Sequence, residues 1–160
     1  MALGAYCQAA DFRVLDFGDS CAQLIEQETR AGARFVAKEH SRLRFADRHL
    51  GRQADITYEC PQGRFNRGLM VFRFQDFAAA QGFFDRHKAN YIAYYGVPDL
   101  DQGSEIYAAR MKAIGFEITA EHAYLLGWER ADKNILFAAS RAGDGSEAAL
   151  VTIDIAPSQR

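Results

Sequence analysis

The chain has 160 residues, of which 49% are hydrophobic, 12% aromatic and 25% charged, a balance that excludes disordered, collagen-like and repeat sequences. Its length suits one globular domain over residues 1–160, large enough to bury a core without staples. No run of 18 apolar residues occurs, and Met1–Ala10 lacks the basic and apolar pattern of a leader, so neither a membrane span nor a signal peptide is expected.

The chain order begins with a capping pattern, Ser20-Cys21-Ala22-Gln23, which predicts a helix running from Ser20 to about Ala31. Gly32 weakens its continuation, and if the helix stops there Ala33–Glu39 becomes a strand. Arg42–Phe45 alternates basic and apolar residues, and Ile56, Tyr58 and Cys60 alternate with Thr57 and Glu59, so both stretches read as strands with one wet face. The turn residues Pro61-Gln62-Gly63 lead into Leu69–Phe74, which predicts a hairpin over residues 55–74 with Met70, Phe72 and Phe74 on its inner face.

Asp76 is a good helix N-cap, Ala80, Phe84, His87, Tyr91 and Tyr95 recur on one helical face, and Gly96 followed by Pro98 ends the pattern. The run Val71–Tyr95, a strand followed by an alanine- and phenylalanine-rich helix, resembles the βα unit of many ferredoxin-like and related α+β domains; it contains no functional residue. Asp99–Ser104 reads as a solvated loop, and Glu105–Ile114 fits a short helix or a strand. Phe116–Thr119, Ala123–Glu129, Ile135–Arg141 and Ala148–Ile155 all read as strands, joined by turns at Ala131–Asn134 and Gly143–Gly145. The expected fold is therefore α+β, with a largely antiparallel sheet of about five or six strands packed against two main helices.

Cys7, Cys21 and Cys60 are odd in number and lack a CxxC spacing, which predicts unpaired thiols and a reducing, cytoplasmic setting; an exported domain whose leader has been removed is the alternative. Cys21 at a helix start is a candidate low-pKa thiol, although its spacing with Leu24 and Ile25 suits burial. His40, His49, His87 and His122 lack the spacing of paired ligands on one helix, so no metal is expected. There is no P-loop, no strand-linked GxGxxG and no GxSxG elbow, so no cofactor is expected either. Glu121-His122 is a loop-borne acid/base candidate.

The formal net charge is −2, but Arg34 to Arg73 holds eight arginines and Lys38 against Glu39, Asp47, Asp55 and Glu59, a local +5 that leaves −7 for the remainder. Arg64, Phe65 and Arg67 at the expected hairpin tip, together with Arg52, form the candidate contact surface, with Phe65 as an exposed aromatic. The acidic remainder and a pI near 6.1 disfavour nucleic acid, which requires many neutralised phosphates. A protein partner with an acidic patch fits better. The leading expectation is thus a non-enzymatic binding, adaptor or accessory protein. The alternative is a small cofactor-free enzyme or ligand-binding protein whose pocket lies between the sheet and the second helix, lined by Phe84, His87, Tyr91, Tyr95 and Trp128. Neither reading sets an oligomeric state.

Overall fold

A computed structural model describes residues 10–101, 109, 112–113, 118–142 and 146–158. Its elements are α1 (Leu24–Arg30), β1 (Arg34–Glu39), β2 (Arg42–His49), β3 (Arg52–Glu59), a short 3₁₀ turn (Pro61–Gly63), β4 (Arg67–Phe74), α2 (Phe77–Tyr95), β5 (Leu100–Asp101), β6 (Ile118–Glu129), β7 (Lys133–Ala142) and β8 (Ala149–Pro157). All eight strands belong to one antiparallel sheet ordered β1-β2-β3-β4-β8-β7-β6-β5. Two meanders, β1 to β4 and β5 to β8, join where β4 meets β8, and α2 carries the chain from the middle of the sheet towards its far edge.

The α+β class and the antiparallel sheet are as expected, but the sheet has eight strands rather than five or six. Ala33–Glu39 contributes β1 because α1 ends at Arg30, and the two-residue β5 pairs with β6 from within the stretch read as a solvated loop. That loop is also fastened. The Asp99 carboxylate accepts the Glu129 N–H at 2.8 Å and a hydrogen bond from Arg130 at 2.8 Å, and these hold its pKa below the ordinary carboxylate range. The expected elements at Glu105–Ile114 (Ala109, Lys112 and Ala113 aside) and the Gly143–Gly145 turn lie outside the described residues. The strand and helix read in Val71–Tyr95 are present as β4 followed by α2.

α2 forms where its caps predict. The Asp76 carboxylate accepts the Ala79 N–H at 2.8 Å, and Gly96 takes φ 84° while its N–H closes on the Ile92 carbonyl. Ala80, Phe83 and Phe84 are its buried residues. They pack on the sheet face carrying Phe72, Phe74, Phe137, Ala139, Ala149 and Val151, in the same core as Met70, which places Met70, Phe72 and Phe74 on the inner face as expected. α1 starts later than its sequence pattern predicts. The Ser20 hydroxyl accepts only the Ala22 N–H, and Cys21 is pinned by its N–H to the Gly63 carbonyl at 2.9 Å, so helical geometry begins at Leu24.

Cys21 and Cys60 form a disulfide, which corrects the expectation of unpaired cysteines. The odd count requires only that one thiol have no partner within the chain; it cannot exclude a bond between the other two. The bond also removes the argument for a reducing compartment, since disulfides persist in oxidising ones. Among the described residues no helix is long and apolar enough to cross a membrane.

The segment before α1 lies across the inner sheet face, an arrangement with no local sequence signal. Phe12 and Leu15 bond each other's backbones, and the Phe12 ring lies over Gly68 so closely that a Cβ there would sit 2.2 Å from it. Gly68 is thus a strand glycine placed to admit a ring.

Two outcomes are expected. Under denaturing, non-reducing conditions one cysteine should alkylate and two should remain blocked, and replacing Cys21 and Cys60 together by alanine should lower the unfolding free energy by about 2–4 kcal/mol; uptake of three labels would show that the bond does not form. Gly68→Ala should cost about 1–3 kcal/mol by overpacking, read from denaturant midpoints, with part of the loss recovered by adding Phe12→Leu.

Candidate functional site

The +5 segment forms β1 to β4, and strand pairing decides what its arginines do. On the sheet face away from the helices, Arg42 meets Glu59 at 3.3 Å, Arg44 meets Glu39 at 3.2 Å and Arg73 meets Asp55 at 3.0 Å. Arg67 binds Asp154 through two hydrogen bonds of 2.9 and 2.6 Å, with the carboxylate buried. These bonds hold the Arg67 guanidinium charged against the opposing effect of burial. Basic positions on β2 and β4 therefore alternate with acidic positions on β1, β3 and β8 in a cross-strand lattice, in which Arg42 and Glu59 are directly opposed and the other three pairs are diagonal neighbours two positions away.

The four residues expected to form one contact surface are not brought together. Phe65 is 1% exposed, which corrects its reading as an exposed aromatic. Its ring stacks on Phe17 at 5.3 Å and Phe12 at 6.1 Å and meets Tyr58 edge-on at 5.4 Å. Its backbone bonds Gly18 and Asp19, so the segment before α1 closes over the tip. Arg67 is engaged by Asp154, and exposed Arg64 donates to the Gly18 carbonyl at 2.8 Å. Arg52 starts β3, whereas Arg64 follows its other end. An eight-residue strand separates them, about 25 Å at the usual rise.

A different group converges at the β2–β3 turn. Leu50 and Gly51 both take positive φ, 51° and 77°, the signature of a tight type I′ hairpin. This turn brings Arg48 and Arg52 beside Arg73 of β4, and the three line a depression of about 390 Å³ with Gly51, Gln53, Asp55 and Val71. Arg48 donates to the Gly51 carbonyl at 2.9 Å. Arg52 donates to the Arg73 carbonyl at 2.7 Å and lies 4.1 Å over the Phe74 ring. Three guanidinium groups against one carboxylate make the recess locally cationic, and all three arginines are exposed. Sequence reading found Arg52 but missed Arg48 and Arg73, because Leu at a positive-φ position conceals the turn; Gly51 was its only signal.

The alternative pocket residues do meet, but as packing. Tyr91 and Phe84 stack on Phe137 with centroids 4.4 and 4.6 Å away, and Tyr95 lies 5.6 Å from Trp128. The Trp128 indole N–H is spent on the Gly96 carbonyl. His87 packs on Phe83 at 4.5 Å, and burial, then the nearby Arg86 charge, lower its pKa. Burial raises the Tyr91 hydroxyl. Among the described residues no group of three or more His, Cys, Asp or Glu side chains is placed to hold a metal ion. Cys21, the candidate reactive thiol, is consumed in the disulfide. The side chains of Glu121 and His122 lie outside the described residues.

A buried ionic cluster holds the other half of the molecule. Glu28 of α1 has no exposure and receives Arg13 Nε at 2.7 Å, Arg13 Nη2 at 2.8 Å and the Tyr58 hydroxyl. Arg13 Nη2 also reaches Asp47 Oδ2 at 2.7 Å. Burial and the bond to Glu28 raise the Tyr58 pKa. For Asp47, burial acts upward, but hydrogen bonds from Arg13 and the Arg48 N–H outweigh it and hold the carboxyl below its ordinary value.

The sign of the resulting pH dependence follows from that direction. Asp47 stabilises the fold fully above about pH 4, and its contribution fades as pH falls through the lower folded value. Asp47→Asn should therefore unfold more easily than the parent at pH 7, with the gap between their denaturant midpoints narrowing below about pH 4; a gap that stays constant to acid pH would contradict the assignment. Arg13→Ala should cost about 3–5 kcal/mol, because Glu28 is left buried without its cation.

Comparison with protein-family models, with curated proteins and with solved structures finds no match to this chain, so its own surface chemistry is what bears on function.

Proposed function

We propose that the protein is a non-enzymatic binding protein that docks an acidic protein partner in the recess formed by Arg48, Arg52 and Arg73. The observation that supports this most directly is the contrast within one segment. Arg42, Arg44, Arg67 and Arg73 are matched by carboxylates in the strand lattice, whereas Arg48 and Arg52 of the recess donate to the backbone carbonyls of Gly51 and Arg73. A guanidinium presents planar, multidentate donors suited to carboxylates. Held by the Gly51 and Arg73 carbonyls, Arg48 and Arg52 lose little side-chain freedom on binding. Such a cationic patch raises the rate of encounter with an acidic surface and gives that encounter a salt dependence.

The test compares wild type with the Arg48→Glu/Arg52→Glu variant as baits in the native lysate, and in titrations with poly-glutamate as a defined probe. Arg48→Glu alone should move stability by about 0.5 kcal/mol or less, and Arg52→Glu by about 0.5–1 kcal/mol through its lost stacking on Phe74. Binding by the double variant should fall at least about tenfold, which corresponds to about 1.4 kcal/mol, and wild-type association should slow as salt rises. Recovery of the same partners in the same amounts by both baits would remove the recess from the function.

A further inference from the structure

The edge formed by β1 has features of a surface built to pair. Among the described residues β1 bonds only to β2, and its other side carries no strand. A strand edge of this kind offers its backbone groups to another strand unless it is blunted, usually by charge, proline or a bulge. β1 has a bulge between Phe35 and Ala37, but an apolar residue, Val36, occupies it and is 43% exposed. Phe35 beside it is 36% exposed and Ile25 of the adjacent α1 is 39% exposed. An apolar strip thus borders the open edge between the charged residues Arg34 and Lys38.

The bulge also fixes which strand would fit. Register with β2 places Arg34, Ala37 and Glu39 on the sheet face away from the helices, opposite Ala46, Arg44 and Arg42, while Phe35 and Lys38 lie on the helical face, opposite Phe45 and Leu43. Directly opposed residues of an antiparallel pair share a face. In an unbulged strand Arg34 and Glu39, five positions apart, would lie on opposite faces; here the extra residue puts them on the same one. A second copy of β1 running antiparallel about a twofold axis between Val36 and Ala37 would therefore set Arg34 against the second copy's Glu39 and Phe35 against its Lys38, with faces matched at both pairs. The registers one residue to either side would oppose residues of different faces, and one of them would set Arg34 against Lys38. Both the faces and the charges select the same alignment.

From this self-complementarity we infer that the protein forms a twofold-symmetric homodimer in which two β1 strands pair antiparallel and the two eight-stranded sheets become one continuous sheet. The Arg34–Glu39 contact occurs twice across the axis, and Glu39 keeps Arg44 of its own chain beside it. The lysine stem of each copy lies along the exposed Phe35 of the other. The interface is isologous and closes on itself, which ends growth at two copies. The recess at the β2–β3 turn is not used.

The experiment is light scattering and sedimentation over a concentration series at low salt, on wild type, Arg34→Glu, Glu39→Arg and the double reversal. Wild type should reach twice the protomer mass of 17.9 kDa. Each single reversal opposes like charges twice and should weaken dimerisation at least tenfold, and the double reversal should restore it. Unchanged denaturant midpoints confirm that the folds are intact. Independently of any variant, amide exchange in the wild-type β1 should slow as concentration rises through the transition. A wild type that stays at 17.9 kDa throughout, single reversals that dimerise like the parent, or a double reversal that fails to recover would each overturn the inference.

Discussion

A buried carboxylate with its cation supplied from another part of the chain is the constraint on which half of this fold depends. Glu28 has no exposure, and Arg13, fifteen positions earlier, reaches it with two donors while also bonding Asp47. The uncompensated charge would cost several kcal/mol. Satisfying it therefore places the segment before α1, α1 itself, β2 and, through Tyr58, β3 in one arrangement. The neighbouring aromatic cluster then follows: Phe12 is delivered over Gly68 and against Tyr58 and Phe65. The disulfide between Cys21 and Cys60 fastens the same two regions from the other side. Polar specificity, ring packing and a covalent bond thus act on one junction.

The elements that sequence pattern located are those whose signals are local. α2 has an N-cap at Asp76, a glycine at its end and one apolar face, and each acts within a few residues. The β6–β7 hairpin follows from a short polar connection at Ala131–Asn134. What pattern missed depends on partners distant in sequence. Phe65 between Arg64 and Arg67 has the composition of an exposed tip; it is buried because Phe12 and Phe17 arrive from another segment. The late start of α1 depends on Cys21 being held by Gly63. Counting cysteines could not reveal a bond that geometry makes.

The arginines illustrate the same distinction in electrostatic terms. A local excess of five positive charges suggests a basic surface, but antiparallel pairing interleaves it with carboxylates from β3, β8 and β1 itself. The difference between Arg42 and Arg48 is not in side-chain chemistry: Arg42 lies opposite Glu59 and Arg48 opposite Gln53. Net charge along a sequence predicts a surface potential only where charge sites are not matched across strands.

The order of the strands has a consequence for how the chain reaches this state. β4, in the first half, pairs with β8, the last strand, and the Arg67–Asp154 contact across that seam joins residues 87 positions apart. The first meander can assemble from local hairpins, yet until β8 arrives the edge of β4 is open, with Leu69 and Val71 beside it lacking their neighbour Leu150. Completion of the sheet must wait for synthesis of β8, and closure of a loop this long is slow compared with hairpin formation. A ribosome pausing after β4 and before β8 would hold an apolar strand edge in solution, which is the state most exposed to aggregation and to capture by chaperones.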